Sequence, residues 1–480
     1  MIGKIVTFIL LCNLVVTTVH SDWTITTPAT ISAINTPQNN TSCSFDPTTG
    51  NFLAVWKDLS GTNEPAYSFY IPGTGWTASA AISESTVVQH DVFSACDTST
   101  GVILATWADT NNNNYPSYSI YTPGSGWSTP NTITTSSVVD SGEFDVFVSF
   151  NPVTGQFLAI WSDSSTYATY SFYTPGTGWG AAGIISGTSR VEGNIFSTVN
   201  SITGTSMAAW SDLNTNYPTY SIYTPGTGWS TSARITTSAY MFQDVYLSFD
   251  STTGQTLATW GDSQNNSVPT YSFYTPGNGW SLIAAISGTT QVDIDVITSF
   301  DPVNGQFLAV WADSSNTNQI NYSTYTPGSG WSSPVFLPAS PNAEARNNVY
   351  LSYDSVTGQI LATWTGADDE GRFPYYSFFD GPVPLPPVPE APASFSGKVM
   401  NKRFLSQTDR INQLNWFPAN DPTIVSYLLR RNGVLIFTAP STGPYTYQDH
   451  NRNKRVTDVY TLTSVNQKGL ESSVLTLTID

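Results

Sequence analysis

A phrase close to T-G-x-x-L-A-x-W-x-D returns along this 480-residue chain at intervals of 49 to 54 residues, its tryptophans being Trp56, Trp107, Trp161, Trp210, Trp260, Trp311 and Trp364. No other feature constrains the fold as tightly. A unit of this length is one supersecondary element that cannot bury its own faces and must stack on copies of itself. A second phrase, Y-S-x-Y-T-P-G-x-G-W, follows six of the seven copies and ends at Trp76, Trp127, Trp179, Trp229, Trp280 and Trp331. The seventh copy breaks after Phe378 and Phe379 into a proline run. Its missing piece sits at the other end of the chain, where Trp23 through Ile31 matches the segment after each G-x-G, such as Trp127 to Ile133.

Within each repeat, apolar and polar residues alternate with period 2 and are cut by Gly, Pro and Asn into about four short strands. In the third repeat these are Asp145 to Phe150, Gln156 to Asp163, Thr169 to Tyr173 and Trp179 to Ile185, joined by turns whose glycines supply positive φ. Four antiparallel strands repeated radially give an all-β fold, a seven-bladed β-propeller over residues 22–381. The N-terminal strand completes the seventh blade and clasps the ring. An open solenoid would have no use for that complementary leftover.

Only 10% of residues are charged, the formal net charge is -18 and the pI is near 4.3. Nucleic acid and anionic lipid are therefore excluded as expected partners by repulsion. Met1 to Ser21 has Lys4, an apolar run from Ile5 to Val16 and small residues near its end, and reads as a removable secretory signal. No later run is long enough for a membrane span, so a secreted, uninserted monomer is expected. Residues 382–392, PVPLPPVPEAP, read as a polyproline II spacer of roughly 30 Å. Residues 22–390 hold five Lys or Arg against 28 Asp or Glu, whereas 393–480 hold ten against six.

The tail carries Leu414-Asn415-Trp416, the run from Val425 to Gly433, and Tyr460 to Asn466. These resemble strands B, C and F of a fibronectin type III domain, which implies a β-sandwich over 393–480 serving as a spacer or adhesive module.

Aligned on the turn residues Asp46, Asp97, Asn151, Asn200, Asp250, Asp301 and Asp354, the repeats show a second periodic position six residues upstream. It holds Asn40, Asp91, Asp145, Asn194, Asp244, Asp295 and Asn348. Seven such side chains would ring one mouth of the central channel. They would either cap backbone N–H groups at the crossovers or present carboxylates and amides to a ligand. If a metal bound there, the oxygens of Asp91, Asp145, Asp244 and Asp295 would suit calcium; no other cofactor is implied. The W-x-D aspartates, from Asp58 to Asp313, are expected to start loops as Asx turns. Those loops are rich in amides and hydroxyls and are punctuated by Tyr115 and Tyr217. Amides bond hydroxyls without desolvating a charge, and aromatic faces cover sugar C–H groups, so the loops suit glycans.

Enzyme motifs mostly fail. The mature chain has only His90 and His450, so no multi-histidine metal site is available. The D-x-x-T-G turn leading toward Trp resembles the Asp-box of the sialidase-like superfamily, and the repeats also resemble propeller lectins. The box departs from S-x-D-x-G-x-T-W, and Arg190, Arg234, Arg346 and Arg372 do not recur at repeat-equivalent positions. That puts sialidase chemistry in doubt. The expectation is a non-catalytic binding protein, lectin- or adhesin-like, recognising glycans or a surface protein. A protein-interaction scaffold and a glycoside hydrolase or lyase, with Glu192 or the Asp368-Asp369-Glu370 cluster as its carboxylates, are the alternatives. Cys43 and Cys96 fall on the same side of adjacent blades and are expected to be free buried thiols.

Overall fold

Alternation and turn chemistry produce the expected sheets. The computed structural model describes residues 23–32, 37–59, 63–142, 145–240, 244–293, 295–337, 344–345, 348–368, 371–381, 389–405, 407–466 and 471–480. The signal-like segment, most of the Pro-rich spacer and Asp369-Glu370 lie outside them. The chain divides into two compact units between Pro382 and Val383.

In the first unit each repeat is one antiparallel sheet. In the third, Val146–Asn151, Gln156–Ser162 and Ala168–Thr174 pair in chain order. The outer strand is split into Gly178–Trp179 and Gly183–Ile184, both paired to Ala168–Thr174. The fourth sheet is Val191–Val199, Ser206–Asp212 and Pro218–Thr224 with Gly228–Trp229 and Ala233–Arg234. The fifth is Tyr246–Phe249, Thr256–Asp262 and Val268–Thr275 with Gly279–Trp280 and Ala284–Ala285. In the split between outer pieces a hydroxyl replaces the ladder: Ser128 Oγ accepts the Ile120 amide at 3.0 Å, and Ser230 Oγ accepts that of Ile222 at 3.0 Å.

The seventh sheet borrows its outer strand from the N-terminus. Thr24–Ile25 and Ala29–Thr30 pair with Gly371–Asp380. Thr26 Oγ1 accepts the Phe378 amide at 2.8 Å, the same device as Ser128 and Ser230. The register differs from direct alignment of Trp23 with Trp127. Ile25 lies opposite Phe379 as Trp127 lies opposite Tyr121. Trp23 sits beyond the pairing and meets Phe379 edge-on at 6.4 Å. The spacing from Ile25 to Ile31 equals that from Trp127 to Ile133, so the paired segment is complete and Trp23 falls two residues before Ile25.

Sheets stack in chain order, and the seventh returns to the first. The seven repeat tryptophans from Trp56 to Trp364 are at most 1% exposed, each inside its sheet's second strand, so they are core. The outer-strand tryptophans are half-buried. Each packs on a tyrosine of the preceding sheet: Tyr67 on Trp127 at 5.5 Å, Tyr170 on Trp229 at 5.6 Å and, across the closure, Tyr376 on Trp76 at 5.3 Å.

The second unit is a sandwich of two sheets. Ser394–Phe404, Gln407–Phe417 and Thr446–Asp449 form one; Val434–Pro440, Ile424–Arg431, Asp458–Asn466 and Leu475–Ile479 form the other. Leu414 and Trp416 from the first meet Tyr427, Leu429, Tyr460 and Leu462 from the second in one core. No helix among the described residues is long and apolar enough to cross a membrane.

Candidate functional site

Seven of the nine sequence-predicted site residues come together as one belt. The backbone amide at six of the seven positions donates to the side-chain oxygen of its counterpart in the next sheet; the exception is the step from Asp295 to Asn348, where Oδ1 of Asn348 is buried without a partner. Asn40 donates to Asp91 at 2.9 Å, Asp91 to Asp145 at 2.9 Å, Asp145 to Asn194 at 3.0 Å, Asn194 to Asp244 at 2.6 Å and Asp244 to Asp295 at 3.2 Å. Asn348 then donates to Asn40 at 3.0 Å, and its Nδ2 donates to Asp295 at 2.7 Å. The side chains thus cap backbone N–H groups across sheets, satisfying strand starts that no ladder reaches.

Around the belt the order is Asn, Asp, Asp, Asn, Asp, Asp, Asn. Asp91 hydrogen-bonds Asp145 carboxyl to carboxyl, and Asp244 does the same with Asp295. Two adjacent buried carboxylates cannot both ionise cheaply, so each pair shares a proton. Burial, the largest cause, raises all four, Asp244 to about 6. Lys57, 6% exposed, donates to the Gln89 carbonyl at 2.7 Å; burial lowers its pKa against the opposing charges of Asp91 and Asp145. Among the described residues no group of three or more His, Cys, Asp or Glu is arranged to hold a metal ion.

Two residues beyond the belt, the same strands carry Phe93, Phe147, Phe196, Tyr246 and Tyr350. Phe196 stacks on Tyr246 at 3.9 Å, Phe93 meets Tyr350 at 5.5 Å and Phe147 meets Phe196 at 5.0 Å. The Tyr246 hydroxyl donates to that of Tyr350 at 3.0 Å. Aromatic rings therefore fill the axis beneath the belt. Sequence reasoning listed none of them, although their fixed offset from the belt was available.

Tyr115 and Tyr217 are not at the belt. They occupy equivalent positions where the loops of the second and fourth sheets enter their third strands, with Tyr167 in the third sheet between them. The W-x-D aspartates start those loops as Asx turns. Asp109 Oδ1 accepts the Asn111 amide at 3.1 Å, and Asp212 Oδ1 that of Asn214 at 2.9 Å. The Tyr217 ring lies 5.0 Å from Tyr240, and the Arg234 guanidinium lies 4.5 Å above it. Glu192 pairs with Ser211 inside the fourth sheet.

The opposite face holds a cavity of about 240 Å³ between the fourth and fifth sheets. Thr198, Asn200, Thr203 and Thr205 line one wall with Met207 and Ile222; Gly254, Thr256, Tyr274 and Pro276 line the other. Short side chains on both walls leave room here. Where the first, third, fifth and seventh sheets carry Phe69, Phe172, Phe273 and Phe378, the fourth has Ile222, as the second has Ile120 and the sixth Thr324. Where the first, second, third, sixth and seventh sheets carry Phe52, Ile103, Phe157, Phe307 and Ile360, the fifth has Thr256 and the fourth Ser206. Elsewhere aromatic contacts fill this gap, such as Phe172 with Tyr223 at 4.7 Å and Phe273 with Phe307 at 5.7 Å. Reading the repeats as uniform concealed this site, although Ile222 and Thr256 stand where several repeats carry Phe.

No family model matches the chain, and no curated protein matches it. Among solved structures, the BP39L lectin from Burkholderia pseudomallei is similar over 72% of this chain and 99% of its own, at 12% identity and TM-score 0.58. AofleA from Arthrobotrys oligospora covers 66% of this chain and 91% of its own, at 9% identity and TM-score 0.43. A fungal lectin from Aleuria aurantia, described as a six-bladed β-propeller with a novel fucose recognition mode, covers 65% of this chain and 98% of its own, at 15% identity and TM-score 0.41. The first of these likenesses agrees with the radially stacked four-stranded sheets in marking the fold as a β-propeller.

Proposed function

We propose that this chain is a secreted, non-catalytic glycan-binding protein: a monomeric seven-bladed β-propeller followed, after a Pro-rich spacer, by a fibronectin type III-like module. The observation that carries this reading is the cavity between the fourth and fifth sheets. Its hydroxyl and amide groups on Thr198, Asn200, Thr203 and Thr256 lie beside the apolar surfaces of Ile222, Met207, Tyr274 and Pro276. That pairing suits a pyranose, whose hydroxyls need neutral hydrogen-bond partners and whose C–H face needs an apolar wall. At about 240 Å³ it falls below the roughly 300 Å³ at which drug-sized pockets begin, and so favours a single sugar ring. BP39L, a lectin, supports the same class of ligand.

The belt carboxylates are committed to neighbouring amides and to one another, which supports calcium-independent binding. A mixed-glycan array followed by titration tests the proposal. Hits are expected with the native chain, with or without a chelator. Hits on neutral glycans should be lost in Thr256→Phe, which supplies an aromatic ring as other sheets do and leaves the circular dichroism spectrum unchanged. An array without hits, with a protein partner co-purifying, would instead support the interaction-scaffold alternative.

A further inference from the structure

We infer that the crossover rim of the fourth sheet is a second binding site, selective for sugars that carry an anionic group, built by Arg190, Arg234, Tyr217 and Tyr240. The inference rests on the glycan-binding reading and adds to it a different location and a ligand charge. The strongly acidic first unit spends its few cations unequally. Lys57 is buried beside the belt, whereas Arg190 and Arg234 are both exposed and flank one loop. Among the described residues neither makes an ion pair. Each lies over a tyrosine instead, Arg190 at 5.7 Å from the Tyr167 centroid and Arg234 at 4.5 Å from that of Tyr217. A guanidinium held against a ring face keeps its N–H edge available for a carboxylate or sulfate fork.

The rim breaks the repeat at this sheet. The carbonyl that accepts the first amide after each W-x-D belongs to Val87, Val138, Arg190, Tyr240 and Gln291 in the second to sixth sheets. The uncharged loop from Leu213 to Asn216 therefore has Arg190 on one side, and Tyr240 borders the sheet's other side. Tyr240 is 37% exposed, and its ring lies 5.0 Å from that of Tyr217, so the two rings form a tilted platform. Arg234 stands where the second and third sheets carry Thr132 and Ile184. The neighbouring acid, Asp212, is 9% exposed and occupied by Ser189 Oγ and the Asn214 amide.

The unit's negative charge does not forbid this. Charges beyond about 8 Å are largely screened at physiological salt, so the local arginines set the field that an approaching anion meets. The sugar ring would cover the tyrosine faces, its anionic group would bridge to a guanidinium, and its hydroxyls would reach Asn214 and Asn216.

The test compares the full chain's affinity for an oligogalacturonate, for its carboxyl-reduced neutral counterpart and for a sulfated galactan oligomer. At least one anionic oligomer should bind about tenfold more tightly than the neutral one, with the advantage fading at high salt. The pair of anionic probes distinguishes carboxylate from sulfate recognition. The advantage should vanish in Arg190→Gln/Arg234→Gln and survive in Thr256→Phe. Equal binding of charged and neutral oligomers, or a preference that persists in the double variant, would overturn this site while leaving the inter-sheet cavity standing. Absence of binding to every oligomer and every arrayed glycan would remove both readings.

Discussion

The backbone amide of Asn348 donates to Oδ1 of Asn40 at 3.0 Å, tying the first strand of the last sheet to that of the first across 308 residues of sequence. At larger radius Tyr376 and Trp76 make the same junction at 5.3 Å. The ring is thus held at two radii, and the N-terminal segment completes the sheet on one side of the junction.

Loss of that segment should open the unit. Trp23 is 8% exposed and packs on Phe379, so Trp23→Ala should cost about 3–5 kcal/mol, read as a lower urea midpoint. Deleting residues 23–30 exposes the edge of Gly371–Asp380 and should yield oligomers on size-exclusion chromatography, because an uncovered strand edge templates pairing.

The belt makes stability rise toward mild acid. Asp91, Asp145, Asp244 and Asp295 are all raised by burial above the value near 3.9 that they have when unfolded. The folded chain therefore binds their protons more tightly. Their contribution is complete below about 4 and is lost as pH climbs through the folded values, about 6 for Asp244. Asp97 and Glu471 are held low by hydrogen bonds and weaken the fold at still lower pH. The Tm should therefore peak on the acid side of neutral. Asp145→Asn imitates the Asn348–Asp295 pair and should raise stability at pH 7 by on the order of 1–3 kcal/mol and flatten the acid-side rise.

Two turn glycines with similar backbone angles should respond differently to a methyl group. Gly155 has φ +68 with nothing within 4 Å of an added Cβ, so Gly155→Ala carries only the left-handed penalty of roughly 1–2 kcal/mol. Gly101 has φ +72, and its added Cβ would lie 2.4 Å from Thr48 Oγ1 of the adjacent sheet. That hydroxyl is held by Asp46 at 2.7 Å and cannot swing away without losing the turn bond. Gly101→Ala should lower the Tm clearly more than Gly155→Ala in matched thermal melts.

Cys43 and Cys96 are free thiols. Cys43 packs toward Leu361 and Phe378 of the seventh sheet, and Cys96 toward Leu53 and Phe69 of the first. The first sheet stands between them. Burial pushes Cys43 up to about 12 and Cys96 higher still. Iodoacetamide should leave the intact mass of the folded, non-reduced protein unchanged and modify both thiols after unfolding.

Position in the repeat revealed the sheets, the borrowed strand and the belt residues, because stacking of equivalent units imposes equivalent chemistry at each offset. It did not reveal partners. Capping by Asp91 was legible as a tendency of aspartate, but its recipient is the amide of Asn40 one repeat earlier, which only stacking brings near. Arg234 and Tyr217 share no offset and meet because a loop and an outer strand converge. The cavity was hidden for the opposite reason: Thr256 looks conservative in a strand and matters only for the ring it fails to supply against Ile222.

The stacked Phe196 and Tyr246, with Phe93 and Tyr350 closing around them, stopper the molecule along its axis. Water and small ions cannot cross from one side to the other through the middle. The loop side and the turn side are thus separated by a wall of stacked rings.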